Sequence, residues 1–253
     1  MDSKTITPIR IGILGYGKMG KAVEAIALDQ GDHIMWVADS NASGYLKQQD
    51  FNQVDVVIEF SQPDAALSNV LRALDAGTTV VSGTTGWLES IPMAVKAAQD
   101  NNVGFLYASN FSIGVNLFFA LNSYASKLMA GIEGYAPSLS ETHHIHKKDK
   151  PSGTAITLAN SIIDQSGGAW SRWQLDLAVA TNQSIPIASI REDEVPGTHV
   201  VTWHGKTDKI QLIHEAQSRS GFASGALKAA HWIRGKKGIF SMADVLGIPE
   251  LTK

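Results

Sequence analysis

In the N-terminal part of the chain, short apolar runs take turns with stretches of helical periodicity. Residues 9–14 form an apolar run that ends in a glycine cluster, and Met19, Ala22, Val23, Ile26 and Ala27 then recur at helical spacing until Gly31. Residues 33–38 predict a second strand ending at Asp39. Residues 54–60 predict a third, nearly continuous in apolar side chains as in a strand buried on both faces. A helix is expected over residues 63–76, with Pro63 in its first turn and Gly77 beyond its end. Short β-branched or aromatic runs at 79–82 and 103–107 flank another helical stretch, 88–100. Strand and helix in steady alternation predict a parallel sheet with helices on both faces.

The rhythm then changes. After a helical stretch at 113–129, strand-like segments crowd together at 139–144, 174–180, 186–190, 199–204 and 209–215, interrupted by one clear helix at 153–165. This pattern predicts a second, α+β domain with a mixed or antiparallel sheet. A helical pattern returns at 222–232. The expected division is therefore residues 1–111, rejoined by 219–253, and residues 112–218.

Composition narrows the classes. With 44% hydrophobic and 18% charged residues over 253, the chain can bury two modest cores. A net charge of -3 gives no field favouring nucleic acid or an anionic membrane, so neither is an expected partner. The absence of cysteine excludes disulfides, thiolate nucleophiles and Cys-ligated metals. No apolar run approaches the roughly 18 residues of a membrane span, and residues 1–10 lack an apolar signal core. A cytoplasmic location is expected.

Gly15-Tyr16-Gly17-Lys18-Met19-Gly20 fits the G-x-G-x-x-G fingerprint between a strand and a helix. The first glycine permits a tight turn, the second lets backbone approach a pyrophosphate, and the third lets helix pack on strand. The helix N-terminus adds unpaired N–H groups and the positive end of its dipole. Asp39, 19 residues after Gly20, stands where a carboxylate can accept hydrogen bonds from a ribose 2′-OH. These features predict a Rossmann-type doubly wound sheet that binds a dinucleotide. Ser82-Gly83-Thr84-Thr85-Gly86 and Ala108-Ser109-Asn110-Phe111-Ser112 follow later strands, where small residues admit a flat nicotinamide ring and Thr or Asn can bond its carboxamide.

The densest chemistry lies in Glu141-Thr142-His143-His144-Ile145-His146-Lys147-Lys148-Asp149-Lys150-Pro151-Ser152-Gly153-Thr154-Ala155. It can be read as a solvated basic loop, as a metal site, or as an anion-binding catalytic pocket. Metal ligation lacks an H-E-x-x-H spacing, and adjacent lysines would repel a cation, so no metal is expected. In the third reading Ser152, Gly153 and Thr154 offer helix N-terminal amides and hydroxyls to a carboxylate. Lys147 then adds positive charge and a histidine a proton near neutral pH.

The segment resembles the signature E-x-H-H-x-x-K-x-D-x-P-S-G-T-A of the dihydrodipicolinate reductases. The resemblance runs through nearly the whole chain. It takes in the glycine turn, Glu59-Phe60-Ser61-Gln62-Pro63, Gly83-Thr84-Thr85-Gly86 and the stretch from Ser109 to Asn116. Pro196-Gly197-Thr198-His199 and the stretches from His214 to Arg219 and Phe222 to Ala226 follow in order. Tyr16 stands where the family often carries a further glycine. The resemblance implies reduction of 4-hydroxy-tetrahydrodipicolinate, a small cyclic dicarboxylate, to tetrahydrodipicolinate in lysine and diaminopimelate biosynthesis, by a homotetramer. It implies His143 and Lys147 as the catalytic pair, and His144 with Gly153 and Thr154 on a substrate carboxylate. Cofactor contacts would come from Gly15, Tyr16, Gly17, Lys18, Met19, Gly20, Asp39, Phe60, Gly83, Thr84, Thr85, Ala108, Ser109, Asn110 and Phe111. The alternatives are another two-domain dehydrogenase of the aspartate family and a non-catalytic dinucleotide-binding redox sensor.

Cofactor choice can be read from the end of the second strand. Recognition of a 2′-phosphate usually needs a base there, yet Asp39-Ser40-Asn41-Ala42-Ser43 has none before Lys47. Asp39 would repel the phosphate, while Lys18 could swing toward it and offset part of that. NADH is expected to be preferred by a modest factor, with NADPH still used.

Overall fold

The structure, a computed structural model, describes residues 7–39, 46–176, 183–218 and 220–249. The chain forms two compact units, Met1–Ile113 with Ser220–Ile248, and Gly114–Arg219 with Pro249–Lys253.

The first unit is a parallel sheet. Its strands are β1 (Arg10–Leu14), β2 (His33–Ala38), β3 (Val56–Glu59), β4 (Thr79–Ser82), β5 (Gly104–Tyr107) and β11 (Gly238–Phe240), in the order β11-β5-β4-β3-β1-β2. Every pairing is parallel. Helices α1 (Lys18–Asp29) and α7 (Ser220–Ile233) bury Val23, Ala27, Ala223, Leu227 and Ile233 against one face, where α8 (Met242–Leu246) joins them. On the other face α2 (Gln48–Phe51), α3 (Pro63–Asp75) and α4 (Ile91–Asp100) bury Phe51, Val70, Leu74, Ala94 and Ala98. This is the expected doubly wound arrangement. The chain runs from β1 outward to β2 and then returns to β3 on the other side of β1, so the sheet reverses at the β1/β3 boundary. Open α/β sheets bind ligands at such a boundary, beyond the carboxyl ends of the strands.

The second unit is a mixed five-stranded sheet in the order β10-β9-β6-β8-β7, built from β6 (Ala136–His143), β7 (Arg172–Leu175), β8 (Ser184–Arg191), β9 (Thr198–His204) and β10 (Lys209–Glu215). β6 pairs parallel with β8 and antiparallel with β9. Helices α5 (Ile113–Met129) and α6 (Gly153–Gln165) cover the sheet with Phe118, Leu158, Ala159 and Ile162, packed on Leu139, Ile187 and Val201. A hydrogen bond from Asn122 Nδ2 to the Leu158 carbonyl at 3.1 Å ties α5 to α6.

Some expected boundaries move. The strand expected over 174–180 is β7, which begins two residues earlier and stops at Leu175, because Asp176 adopts a left-handed conformation (φ 59°); 177–180 lie outside the described residues. The short elements α2, β11 and α8 were not foreseen. Three to five residues carry too little periodicity, and only the neighbouring elements hold them in place.

Candidate functional site

In the first unit the glycine turn closes on the switch point. Gly15 has φ 89°, and a Cβ there would lie 2.2 Å from the Phe60 carbonyl oxygen; a Cβ on Gly20 would lie 2.2 Å from the carbonyl oxygen of Gly15. Gly17 is different, since a side chain there would meet no protein atom within 4 Å. The protein itself does not require a glycine at 17, so the space above that backbone suits a ligand. Gly17 opens α1 with no side-chain cap and no acidic residue in the first turn, which leaves the helix amides available to an anion. A cleft of about 560 Å³ lies here, lined by Gly17, Lys18, Met19, Phe60, Gly83, Thr84 and Thr85 among others. These seven are all expected cofactor residues.

Asp39 directly follows β2 and is exposed. Ala108, Ser109, Asn110 and Phe111 follow β5, with Phe111 buried and its ring 5.7 Å from that of Phe60. Tyr16 hydrogen-bonds Glu24 of α1 and stacks beneath the Lys21 ammonium.

Behind the cleft sits a carboxylate that sequence reasoning did not single out. Glu59, fully buried at the end of β3, accepts hydrogen bonds from the Ser61 amide (2.8 Å), the Ser61 hydroxyl (2.5 Å) and the hydroxyls of Ser82 (2.6 Å) and Thr84 (2.7 Å). It joins the turns after β3 and β4 that line the cleft.

In the second unit the histidine–lysine segment is not a solvated loop throughout. Residues Pro137, Leu139, Glu141 and His143 alternate onto the buried face of β6. Register does the rest: Glu141 lies opposite Ser189 of β8 and His199 of β9, and His143 lies opposite Arg191. Glu141 Oε1 therefore accepts from Ser189 Oγ (2.7 Å), Arg191 Nη2 (3.1 Å) and the Ser152 amide (3.0 Å). Its Oε2 lies 3.2 Å from His143 Nδ1, an ion-pair distance without the alignment of a full hydrogen bond, and 3.8 Å from His199 Nε2. Burial alone would raise the Glu141 pKa, but the close approach of His143 and the hydrogen bonds from Ser152 and Ser189 outweigh it and hold the carboxyl far below its usual range. Burial, together with the charge of His143, pushes His199 down to about 4 despite Glu141.

A turn closed by the Lys147 amide on the His144 carbonyl brings the chain back after β6. Lys147 Nζ pairs with Asp149 at 2.8 Å; burial opposes that carboxylate's charge, yet the lysine keeps its pKa below the ordinary value. Arg191 fastens the turn, donating to the carbonyls of Lys147 (3.2 Å) and Asp149 (2.5 Å). Ser152 caps α6, its hydroxyl accepting from the Ala155 amide at 3.2 Å and lying 3.2 Å from His199 Nε2. Gly153 and Thr154 begin the helix on its more open side. His144 is partly buried, with its ring 6.0 Å from His146.

Glu141, His143 and His199 carry potential ligand atoms within 4.8 Å of one another. The Arg191 guanidinium on the same carboxylate opposes a second cation there, so the cluster reads as an ion-pair network. The sequence offered two usable signals for Glu141: it opens the signature, and standing two residues before His143 on a strand puts both on one face. Nothing local gave a role to Arg191, or to His199 at the end of the Pro196-Gly197-Thr198-His199 stretch.

One unit is a doubly wound sheet with an uncapped glycine-rich helix start, the other carries buried His and carboxylate groups with a partly exposed lysine, and together these features fit a nicotinamide-dinucleotide-dependent oxidoreductase. The profile of the dihydrodipicolinate reductase N-terminus matches residues 9–111, and that of the dihydrodipicolinate reductase C-terminus matches residues 114–246. A 4-hydroxy-tetrahydrodipicolinate reductase of Christiangramia forsetii is 44% identical over 240 residues, covering 94% of this chain and 98% of that one. One from Methanosarcina barkeri is 36% identical over 199 residues, covering 78% and 74%. In fold, the chain is similar to a dipicolinate-bound dihydrodipicolinate reductase from Paenisporosarcina sp. TG-14, with a TM-score of 0.78 at 22% identity, covering 96% of this chain and 100% of that chain. The chain belongs to the dihydrodipicolinate reductase family, oxidoreductases of lysine and diaminopimelate biosynthesis. Membership sets aside both the aspartate-type dehydrogenase and the non-catalytic sensor.

Proposed function

We propose that this chain reduces 4-hydroxy-tetrahydrodipicolinate to tetrahydrodipicolinate. The observation that carries the reading is the placement of His143 and Lys147 on one strand end and its turn, with the α6 N-terminus just beyond, in a chain that also has the glycine-turn cleft. A bound nicotinamide dinucleotide supplies the hydride. The chain's own residues do the rest.

Lys147 holds a substrate carboxylate and stabilises negative charge as it develops. A cation about 4 Å from an anion contributes roughly 4 kcal/mol at an effective dielectric near 20, less the cost of desolvation. His144 and the Gly153 and Thr154 amides hold a carboxylate, while Ser152, engaged with Glu141 and His199, shapes that helix start. His143 transfers the proton to carbon. Gly15, Tyr16, Gly17, Lys18, Met19 and Gly20 cradle the cofactor phosphates, Asp39 the ribose, and Phe60, Gly83 to Thr85 and Ala108 to Phe111 the nicotinamide end. With this division of labour the first unit binds cofactor and the second binds substrate.

Self-association is supported by the second unit, and the family resemblance makes the assembly a homotetramer. Leu117, Leu121, Tyr124 and Leu128 form an exposed apolar stripe at helical spacing along α5, and the edge strand β10 exposes Ile210 and Ile213. No helix among the described residues is long and apolar enough to cross a membrane, and a cytoplasmic setting fits the absence of cysteine.

Absorbance of the reduced cofactor, followed while the upstream synthase supplies substrate, tests the reading. Rapid loss is expected with NADH, and slower loss with NADPH at equal concentrations. No loss with either cofactor would refute the activity. A kcat/KM ratio of tenfold or more in favour of NADPH would show that Lys18 or another base outweighs Asp39.

A further inference from the structure

We infer that Glu141 is a positioning residue for His143, keeping the imidazole proton on Nδ1 and leaving Nε2 as the nitrogen that exchanges a proton with substrate. The inference rests on the reading of His143 as the proton-transfer group. Glu141 is 1% exposed and His143 8%, and the carboxylate oxygen at 3.2 Å from Nδ1 is Oε2, the one not already taken by Ser152, Ser189 and Arg191. A carboxylate so placed accepts only from a protonated Nδ1, which fixes the tautomer and the ring orientation.

Two further features agree. A Cβ on Gly197 would lie 3.1 Å from His143 Nε2, so the glycine keeps the space beside that nitrogen clear of side chain. The same Arg191 guanidinium that holds Glu141 also binds the Lys147 and Asp149 carbonyls, so one side chain sets both members of the catalytic pair. The groups facing His143 are thus Glu141 on its own strand, Arg191 from β8 and His199 from β9, whose ring centroid is 4.9 Å away. In the proton-transfer step the Nε2–H bond of the imidazolium breaks as a C–H bond forms on the electron-rich substrate carbon. The neutral ring retains Nδ1–H toward Glu141, and solvent restores the Nε2 proton.

The test begins with the parent enzyme. Nitrogen-15 NMR of histidine-labelled protein, above the pH where His143 is charged, should show neutral His143 protonated on Nδ1; the Nε2–H tautomer would overturn the proposal without any variant. Glu141→Gln should then lower kcat on the order of 10²-fold or more, shift the His143 proton to Nε2, and leave NADH affinity within about twofold. A kcat within threefold of the parent, or a large loss with the tautomer unmoved, would sink the idea. His143→Gln separates the two levels. If it keeps full activity, the underlying role of His143 fails. If it is inactive while Glu141→Gln is fully active, only the positioning role fails.

Discussion

Among the described residues each unit buries one glutamate near the carboxyl end of a central strand, and the two are held in opposite ways. Glu59 is surrounded by hydroxyls and an amide. Glu141 meets an arginine and two imidazoles as well as Ser152 and Ser189. Hydroxyls can turn and accept as readily as they donate, whereas a guanidinium can only donate. Glu59 is thus a fastener for the turns that line the glycine-turn cleft, and the shape it maintains is largely backbone. Glu141 belongs to a charge network whose geometry passes directly to His143 and to the turn that carries Lys147. A dinucleotide is recognised by accessible amides and missing side chains, but proton transfer needs one atom held in one orientation.

The sharpest way to separate the regions is Lys147→Ala. It should lower kcat by about 10²- to 10³-fold, while the affinity for reduced cofactor, measured by fluorescence titration, stays within about twofold. Activity within a few-fold of the parent would remove Lys147 from the catalytic pair.

Glu59→Ala should act on the other side of the comparison. Stranding the Ser61 amide and the Ser82 and Thr84 hydroxyls should cost about 3 kcal/mol of stability in denaturant melts and weaken cofactor binding. Glu59→Gln should cost only about 1 kcal/mol, because hydroxyls can accept from the new amide. Equal losses for the two variants would show that the charge of Glu59, not its acceptor count, matters.

A further effect concerns acid stability. The folded pKa of His199, about 4, lies below its ordinary 6.5, so as pH falls the unfolded chain takes up the proton first. The stabilising contribution of neutral His199 is complete above about pH 6.5 and is lost as pH falls toward about 4. Allowing for coupling to His143, the loss is on the order of 2 kcal/mol. Glu141, also depressed in the fold, contributes stability that is lost only below its ordinary 4.5, whereas His214, pushed down by burial, adds to the same window, so the share of His199 is the part of the slope that its substitution removes. His199→Gln should flatten the stability profile between pH 6.5 and 4. An unchanged slope would assign it to other groups.

The parts of this protein that depend on neighbours in sequence could be read directly. The glycine turn needs only contiguous residues, because the φ of Gly15 and the start of α1 are local. The alternation of apolar runs and helical repeats gave a doubly wound sheet for the same reason, and the E-x-H-H-x-x-K signature drew attention to His143 and Lys147 before any fold existed. What tertiary structure alone decided is the set of partners for Glu141. Glu141 is far in the chain from Arg191 and His199, and the three meet because β6 lies between β8 and β9 in one particular register. A slip of one residue would turn Glu141 and His143 to the opposite face. No local pattern specifies that register. It follows from packing Leu139, Ile187 and Val201 beneath α5 and α6, and only a folded core can impose that condition.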